Sequence, residues 1–206
     1  MAQVLFCRTP LTLGRRVRPP TARELAGTPS LFDVSLDDAL RRGGAFVAAV
    51  LGAMALRHDR RDVIVQVQVA NLAAGEIPNG AGWHTDGVPV GPGRYRYASD
   101  DPAHRPDRFH SLVAGAHCRT AFAVGPIWLD DPGTDDAHER RLYFTRELGR
   151  LRPEVVQVPN CRLVEYDGWA LHAAVPAAAA GWRAFIRAVE TDHGAPRPLP
   201  PEAARP

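Results

Sequence analysis

Lysine does not occur in the 206-residue chain; all 25 basic residues are arginine. With the abundant Ala, Pro and Gly, this usage reflects a GC-rich coding bias rather than a dedicated basic surface. The formal charge of only +2 does not demand a polyanionic partner, so nucleic acid is not an expected ligand. Cysteine is limited to Cys7, Cys118 and Cys161. An odd, widely spaced set indicates neither a disulfide framework nor a zinc site, and a reducing cytoplasm is the default. No apolar run approaches the roughly 18 residues of a membrane span. Residues 1–18 lack the apolar segment and small-residue cleavage site of a secretory signal. A cytoplasmic protein with no membrane partner is expected.

What is present is an ordinary globular composition, 45% hydrophobic and 23% charged, sufficient for a packed core. The length suits a single domain over 1–206. Within it we expect an irregular and helical preface (1–58), a β core (59–192) and a disordered Pro-rich tail (193–206). Prolines 10, 19, 20 and 29 make 1–34 irregular, with Val4-Leu5-Phe6 as an edge strand. Ser35 caps a short helix opened by Asp37 and Asp38, Gly43-Gly44 interrupts, and Ala45–Arg57 is an apolar helix. Val63–Val69 is the clearest strand, with valines on one face. Its other face carries Gln66 and Gln68 and is either wet or the lining of a polar cavity, which makes Gln68 a candidate substrate contact.

Further strands are expected at Ser111–Ala116, Thr120–Leu129, Val155–Val158, Arg162–Tyr166 and Trp182–Glu190, with a helix at Glu139–Arg150. Strands without regular βα alternation favour a sandwich or jelly roll over a parallel α/β sheet. The fold class expected is mostly β with flanking helices. Residues 87–110 show no hydrophobic period and read as a lid, a binding loop or disorder. Arg94 and Tyr95, followed by Arg96 and Tyr97, are its candidate substrate contacts; a merely solvated loop is the alternative.

The chemistry-bearing stretch is Gly82-Trp83-His84-Thr85-Asp86-Gly87. With 8 histidines and 15 aspartates, chance alone gives roughly 0.6 His-x-Asp pairs per chain, so the pair needs context. A turn histidine beside a capping aspartate is the bland alternative. The context is a distal His172 near a strand end and, on the next strand, Arg183, Phe185 and Arg187 sharing one face. Two imidazoles and one carboxylate on a single face would leave three metal positions open. An arginine in the same cavity is costly unless it meets an anion.

These residues together resemble the Fe(II)/2-oxoglutarate-dependent oxygenases, over about residues 63–192. The 88-residue separation of His84 and His172, the Arg eleven residues beyond His172, and Asn71 thirteen residues before His84 resemble the phytanoyl-CoA dioxygenase-like branch. Trp83-His84-Thr85-Asp86 is also similar to the taurine dioxygenase group, whose downstream Thr would correspond to Thr120. The resemblance implies a double-stranded β-helix, also called a jelly roll or cupin-like fold. It implies His84, Asp86 and His172 as iron ligands, and Arg183, Asn71 and Thr120 as contacts of 2-oxoglutarate. O₂ would be the second co-substrate, and succinate and CO₂ the co-products. Arg187, farther along the face of Arg183, is expected to contact the prime substrate, a small and carboxylate-bearing metabolite. Because Asp86 is present, hydroxylation or desaturation is expected rather than halogenation. One position departs from the pattern: many family members have Ser two residues past the Arg, and here it is Phe185.

Two other functions are weighed. A nucleic-acid demethylase-type oxygenase has similar motifs but arginines farther past the distal His. A non-enzymatic cupin-like metal binder typically has more histidines per site. His110 and His117 read as structural histidines, Glu165 and Asp167 as strand-end turn residues, and the cysteines as buried small hydrophobes. The sequence assigns no oligomeric state.

Overall fold

The Val/Gln alternation of residues 63–69 extends in both directions into an eleven-residue strand, on whose two faces the rest of the fold is arranged. A computed structural model of the chain describes residues 3–78, 80–86, 88–91, 94–96, 105–134 and 136–198. The first half comprises β1 (Gln3–Phe6), β2 (Thr12–Arg16), α1 (Ala22–Ala26), β3 (Leu31–Ser35), α2 (Leu36–Arg42), α3 (Gly44–Leu51) and β4 (Asp62–Leu72). A hairpin of β5 (Val88–Gly91) and β6 (Arg94–Arg96) follows. Then come β7 (Arg108–Gly115), β8 (Thr120–Val124), β9 (Ile127–Asp130) and α4 (Ala137–Leu151). The last strands are β10 (Glu154–Val158), β11 (Arg162–Asp167), β12 (His172–Ala174) and β13 (Gly181–Thr191). No helix among the described residues is long and apolar enough to cross a membrane.

The protein is mostly β, and its paired strands are antiparallel. A six-stranded sheet runs β2-β11-β7-β13-β4-β3, and a three-stranded sheet runs β10-β8-β12. Period-two alternation sorts the large sheet into an apolar outer face and a polar inner one. Val65, Val67, Leu112, Ala114, Ala184, Ile186 and Ala188 share one buried cluster with Phe46, Val47, Val50 and Leu51 of α3. The inner face carries Gln66 opposite Arg187, Gln68 opposite Phe185, and Ala70 opposite Arg183. The glutamine face therefore lines a cavity. The strand expected at Val4–Phe6 is present as β1, and the rest of the stretch expected to be irregular supplies β2, α1 and most of β3. Prolines 10, 19, 20 and 29 fall in the connections between these elements, outside β2, α1 and β3, so no ladder bond is lost to them.

Three other expectations change in detail. Thr120–Leu129 is two strands, because Gly125 adopts a positive φ of 86° and turns the chain from β8 toward β9, which pairs with β1. Residues 87–110 are not structureless: they contain the β5–β6 hairpin, and 108–110 already belong to β7. The apolar helix ends at its Gly52 cap rather than at Arg57. The Arg57 and His58 amides instead donate, at 2.8 Å each, to the fully buried Glu190 carboxylate.

Glu190 also accepts from Arg108 at 2.9 Å and faces His110 Nε2 at 3.0 Å. Burial alone would raise its pKa, but Arg108, His110 and the two amides outweigh it and hold the carboxyl below its ordinary 4.5. A carboxylate lowered in the folded state adds stability above its unfolded pKa, and that stability is lost as pH falls through the folded value. Acid unfolding should thus include a Glu190 component below about pH 4. Glu190→Ala, which strands a cation and two amides, should cost about 3–5 kcal/mol at neutral pH. Urea unfolding checks this, and an unchanged midpoint would contradict it.

Candidate metal centre

His84 sits on the segment that follows a glycine-rich turn, and it pairs with the first residue of β12. His84 N–H donates to His172 O at 2.9 Å, and His172 N–H donates to His84 O at 2.8 Å. This bridge sets the two rings side by side, with centroids 4.3 Å apart. His172 therefore opens a strand rather than closing one. Each ring turns Nδ1 toward a carbonyl of its own segment: Gly82 O at 3.3 Å for His84, and Ala170 O at 2.9 Å for His172. A donating Nδ1–H leaves Nε2 as a bare lone pair, the tautomer a metal ligand needs. Asp86, two residues beyond His84, brings Oδ2 to 3.6 Å from His172 Nε2. One ligand atom from each of His84, Asp86 and His172 lies within 4.8 Å of the others, a group able to hold a metal ion.

Electrostatics keep the set in its donor form. Burial, aided by His172 and Arg141, lowers the His84 pKa to about 3. Burial likewise lowers His172, against the opposing pull of Asp86. For Asp86, burial pushes upward, but Arg187, His172 and His84 together hold the carboxyl well below the usual range. At neutral pH the site therefore offers two neutral imidazoles and one carboxylate, a mixed N/O set suited to divalent first-row metals.

Arg187, expected to contact the prime substrate, lines the cavity and is also tied to Asp86. Its guanidinium is bound to Asp86 Oδ1 at 2.5 Å and donates to Gln66 Oε1 at 2.7 Å; Gln66 in turn donates to Asp33 Oδ1 at 2.5 Å. A charge paired in this way fixes the Asp86 carboxylate of the candidate metal group. The Tyr166 hydroxyl adds a 3.3 Å contact to Asp86 Oδ2. Nothing in the sequence flagged Tyr166, while the partnership of Arg187 with Gln66 follows from a cross-strand register.

A cavity of about 270 Å³ opens beside His84, Asp86 and His172. Gln68, Thr120 and Arg183 are among the residues that line it. Arg183 is only 5% exposed, and its Nε has no hydrogen-bond partner. Among the described residues its guanidinium has no hydrogen-bond or ion-pair partner at all; its recorded contact is the Phe185 ring, 5.5 Å away. Asn71 does not reach the cavity. It pairs with Trp182, is exposed, and lies on the opposite face of β4 from Gln66, Gln68 and Ala70. Counting from His84 ignored that parity.

Two lining residues were not anticipated, Arg140 and Arg141 of α4. The helix approaches closely because residues 80 and 82 are glycine with φ of 87° and 106°. A Cβ at Gly80 would collide with the Arg141 guanidinium, and one at Gly82 would lie 2.8 Å from Thr145 Oγ1. The Trp83 amide donates to that same hydroxyl at 3.0 Å. A helical period was the available signal: Ala137, Arg140, Arg141, Phe144 and Leu148 share one side of α4, and the last two are buried.

The remaining candidates are structural. His110 serves Glu190, His117 is exposed in the turn after β7, Glu165 pairs with Arg57, and Asp167 accepts from the Trp169 amide. All three cysteines are free and buried. Of the loop arginines, Arg105 is bound to Asp59, and Arg108 to Asp59 and Glu190. The side chains of Arg94 and Tyr95, expected to contact substrate, lie outside the described residues. No protein-family model matches the chain, and no curated protein does.

Proposed function

We propose that the protein is an Fe(II)- and 2-oxoglutarate-dependent oxygenase that hydroxylates or desaturates a small-molecule metabolite. The observation that carries this reading is Arg183, a buried cation without an anionic partner among the described residues, in the cavity of His84, Asp86 and His172. Leaving such a charge unpaired costs several kcal/mol. A 2-oxo dicarboxylate that binds metal at one end and Arg183 at the other removes that cost. His84, Asp86 and His172 would hold the iron, and Arg183 would receive the far carboxylate, with the Thr120 hydroxyl beside it. When bound, iron and 2-oxoglutarate supply the oxidising chemistry, with O₂ as oxidant and succinate and CO₂ as co-products.

The chain's own residues prepare the site. Backbone carbonyls of Gly82 and Ala170 hold the imidazoles in the Nε2-donor tautomer. Arg187 occupies one Asp86 oxygen and leaves the other, Oδ2, on the side of His172. Phe185, standing where many members of the resembled family have Ser, gives Arg183 an aromatic face in place of a hydroxyl partner. We also read the fold as a double-stranded β-helix. β4, β7, β11 and β13 lie in the large sheet and β8, β10 and β12 in the small one, so the chain passes repeatedly between the two, and His84 pairs onto β12 beside β8.

Protein reconstituted with Fe(II) and given 2-oxoglutarate, O₂ and a panel of small metabolites should release succinate in step with O₂ uptake. Absence of both 2-oxoglutarate-dependent O₂ uptake and metal-dependent 2-oxoglutarate binding would overturn the proposal.

A further inference from the structure

The one carboxylate of the candidate metal group is aimed by a chain of hydrogen bonds that begins on a different strand. Gln66 and Arg187 stand directly opposite each other on β4 and β13. A carboxamide has an acceptor oxygen at one end and a donor NH₂ at the other, but only the oxygen suits a guanidinium, which is donor-only. Asp33 makes the choice. Its Oδ1 accepts from Gln66 Nε2 at 2.5 Å, which turns Gln66 Oε1 toward Arg187 Nη2 at 2.7 Å. Arg187 Nη1 is then held on Asp86 Oδ1 at 2.5 Å, and Asp86 Oδ2 lies on the side of His172. A β-bulge brings Asp33 into reach. Leu31 pairs with Val67 and Val34 with Val65, so three steps along β3 oppose two along β4. The extra residue lets Leu31 and Val34 both join the core under α3, while Asp33, at a φ of 55°, turns its side chain to Gln66. Asp is one of the few side chains that accept this left-handed conformation, and bulges commonly re-aim a side chain beside a site.

Gln66, Asp86 and Arg187 line the cavity beside the histidines and also a second cavity of about 190 Å³, whose wall includes Asp33. With open space on both sides, hydrogen bonds rather than packing hold these three side chains in place. Arg197 also reaches Asp33, its amide donating to Asp33 O at 2.5 Å and its Nε lying 3.3 Å from Oδ2. That side chain is 75% exposed, and exposed ion pairs contribute little. The link that matters at Asp33 is therefore the one to Gln66. We infer that Asp33 is a positioning residue of the candidate metal centre, acting through Gln66 and Arg187 to fix the carboxylate of Asp86. The inference rests on the metal-binding part of the reading above and not on 2-oxoglutarate.

The test titrates metal-free protein with Co(II), an air-stable substitute for Fe(II), followed by calorimetry and visible absorption. Asp33→Gly keeps the left-handed backbone and removes the carboxylate. It should bind Co(II) about tenfold more weakly, the low end of the 10–100-fold cost of removing a direct outer partner of a metal ligand. Its Co(II) absorption should also differ in intensity from that of wild type, because Asp86 is released. Asp33→Asn, which keeps an acceptor oxygen and tolerates the same φ, should restore most of both. In a Gln66→Leu background Asp33→Gly should cost nothing further, since no amide is left to orient. Should Asp33→Gly melt earlier than wild type, Gln66→Leu, which leaves the β3 bulge untouched, must by itself weaken Co(II) by a similar factor. Unchanged Co(II) affinity in Asp33→Gly, additive losses in the double variant, or an equal loss in Arg197→Ala would overturn the assignment; the last would make Asp33 an anchor of the tail. Wild-type protein that binds no Co(II) would remove the metal centre and the role of Asp33 with it, whereas the other three results leave the centre standing.

Discussion

His172→Ala protein should bind Fe(II) at least about a hundredfold more weakly than wild type and release no succinate from 2-oxoglutarate. Even outer partners of metal ligands cost 10–100-fold when removed, and His172 is proposed as a ligand itself. Its imidazole is also packed, 7% exposed, between Phe122 at 5.4 Å and Tyr166 at 5.3 Å between ring centroids. Truncation therefore leaves a void, and a stability loss of about 1–3 kcal/mol is expected alongside the functional one. His172→Gln, which refills the space with a poor donor, separates the two effects: it should melt near wild type and still fail to hold iron. Metal content after dialysis and succinate release are the measurements. Full activity in either variant would remove His172 from the site.

Arg183→Leu should weaken 2-oxoglutarate by about 2–5 kcal/mol, or roughly 30-fold to several thousandfold, the cost of deleting the partner of a buried charge. The unliganded protein should respond in the opposite sense to what a structural arginine would give. Truncating one member of a buried ion pair usually costs 3–5 kcal/mol, but Arg183 has no such partner among the described residues and its Nε makes no hydrogen bond. What is lost is the Phe185 ring contact, about 0.5–2 kcal/mol. Relief of an unpaired buried charge offsets that loss. The apo variant should therefore be within about 1 kcal/mol of wild type, or more stable. Added 2-oxoglutarate and metal should raise the melting temperature of wild type far more than that of the variant. A strongly destabilised apo variant with unchanged ligand affinity would make Arg183 a framework residue.

Legibility in the sequence followed locality. β4 and β13 were readable because period-two alternation and flanking turn residues are local signals, and Ser35 capped α2 as its position implied. β2 and β3 were not, because edge strands such as Thr12–Arg16 are largely exposed and need no apolar alternation. The three metal-centre residues were legible through motif order. Their supports were not: the link of Arg187 to Asp86 spans 101 positions and depends on how β13 lies against β4 and the 82–86 segment. Asn71 was misassigned because spacing along the chain does not tell which face of a strand a residue occupies. Arg140 and Arg141 were passed over because α4 was recognised as a helix without asking what its inward side carried.

The central claim is that His84, Asp86 and His172 hold one iron whose 2-oxo acid partner reaches Arg183. Anaerobic titration of the Fe(II)-loaded protein with 2-oxoglutarate, followed by the visible charge-transfer absorption of a chelated 2-oxo acid, tests it most directly. The account predicts an absorption that saturates at one iron and one 2-oxoglutarate per chain, is absent in His172→Gln, and needs far more ligand in Arg183→Leu. Iron-loaded protein that develops no such absorption and shows no saturable 2-oxoglutarate binding would contradict it.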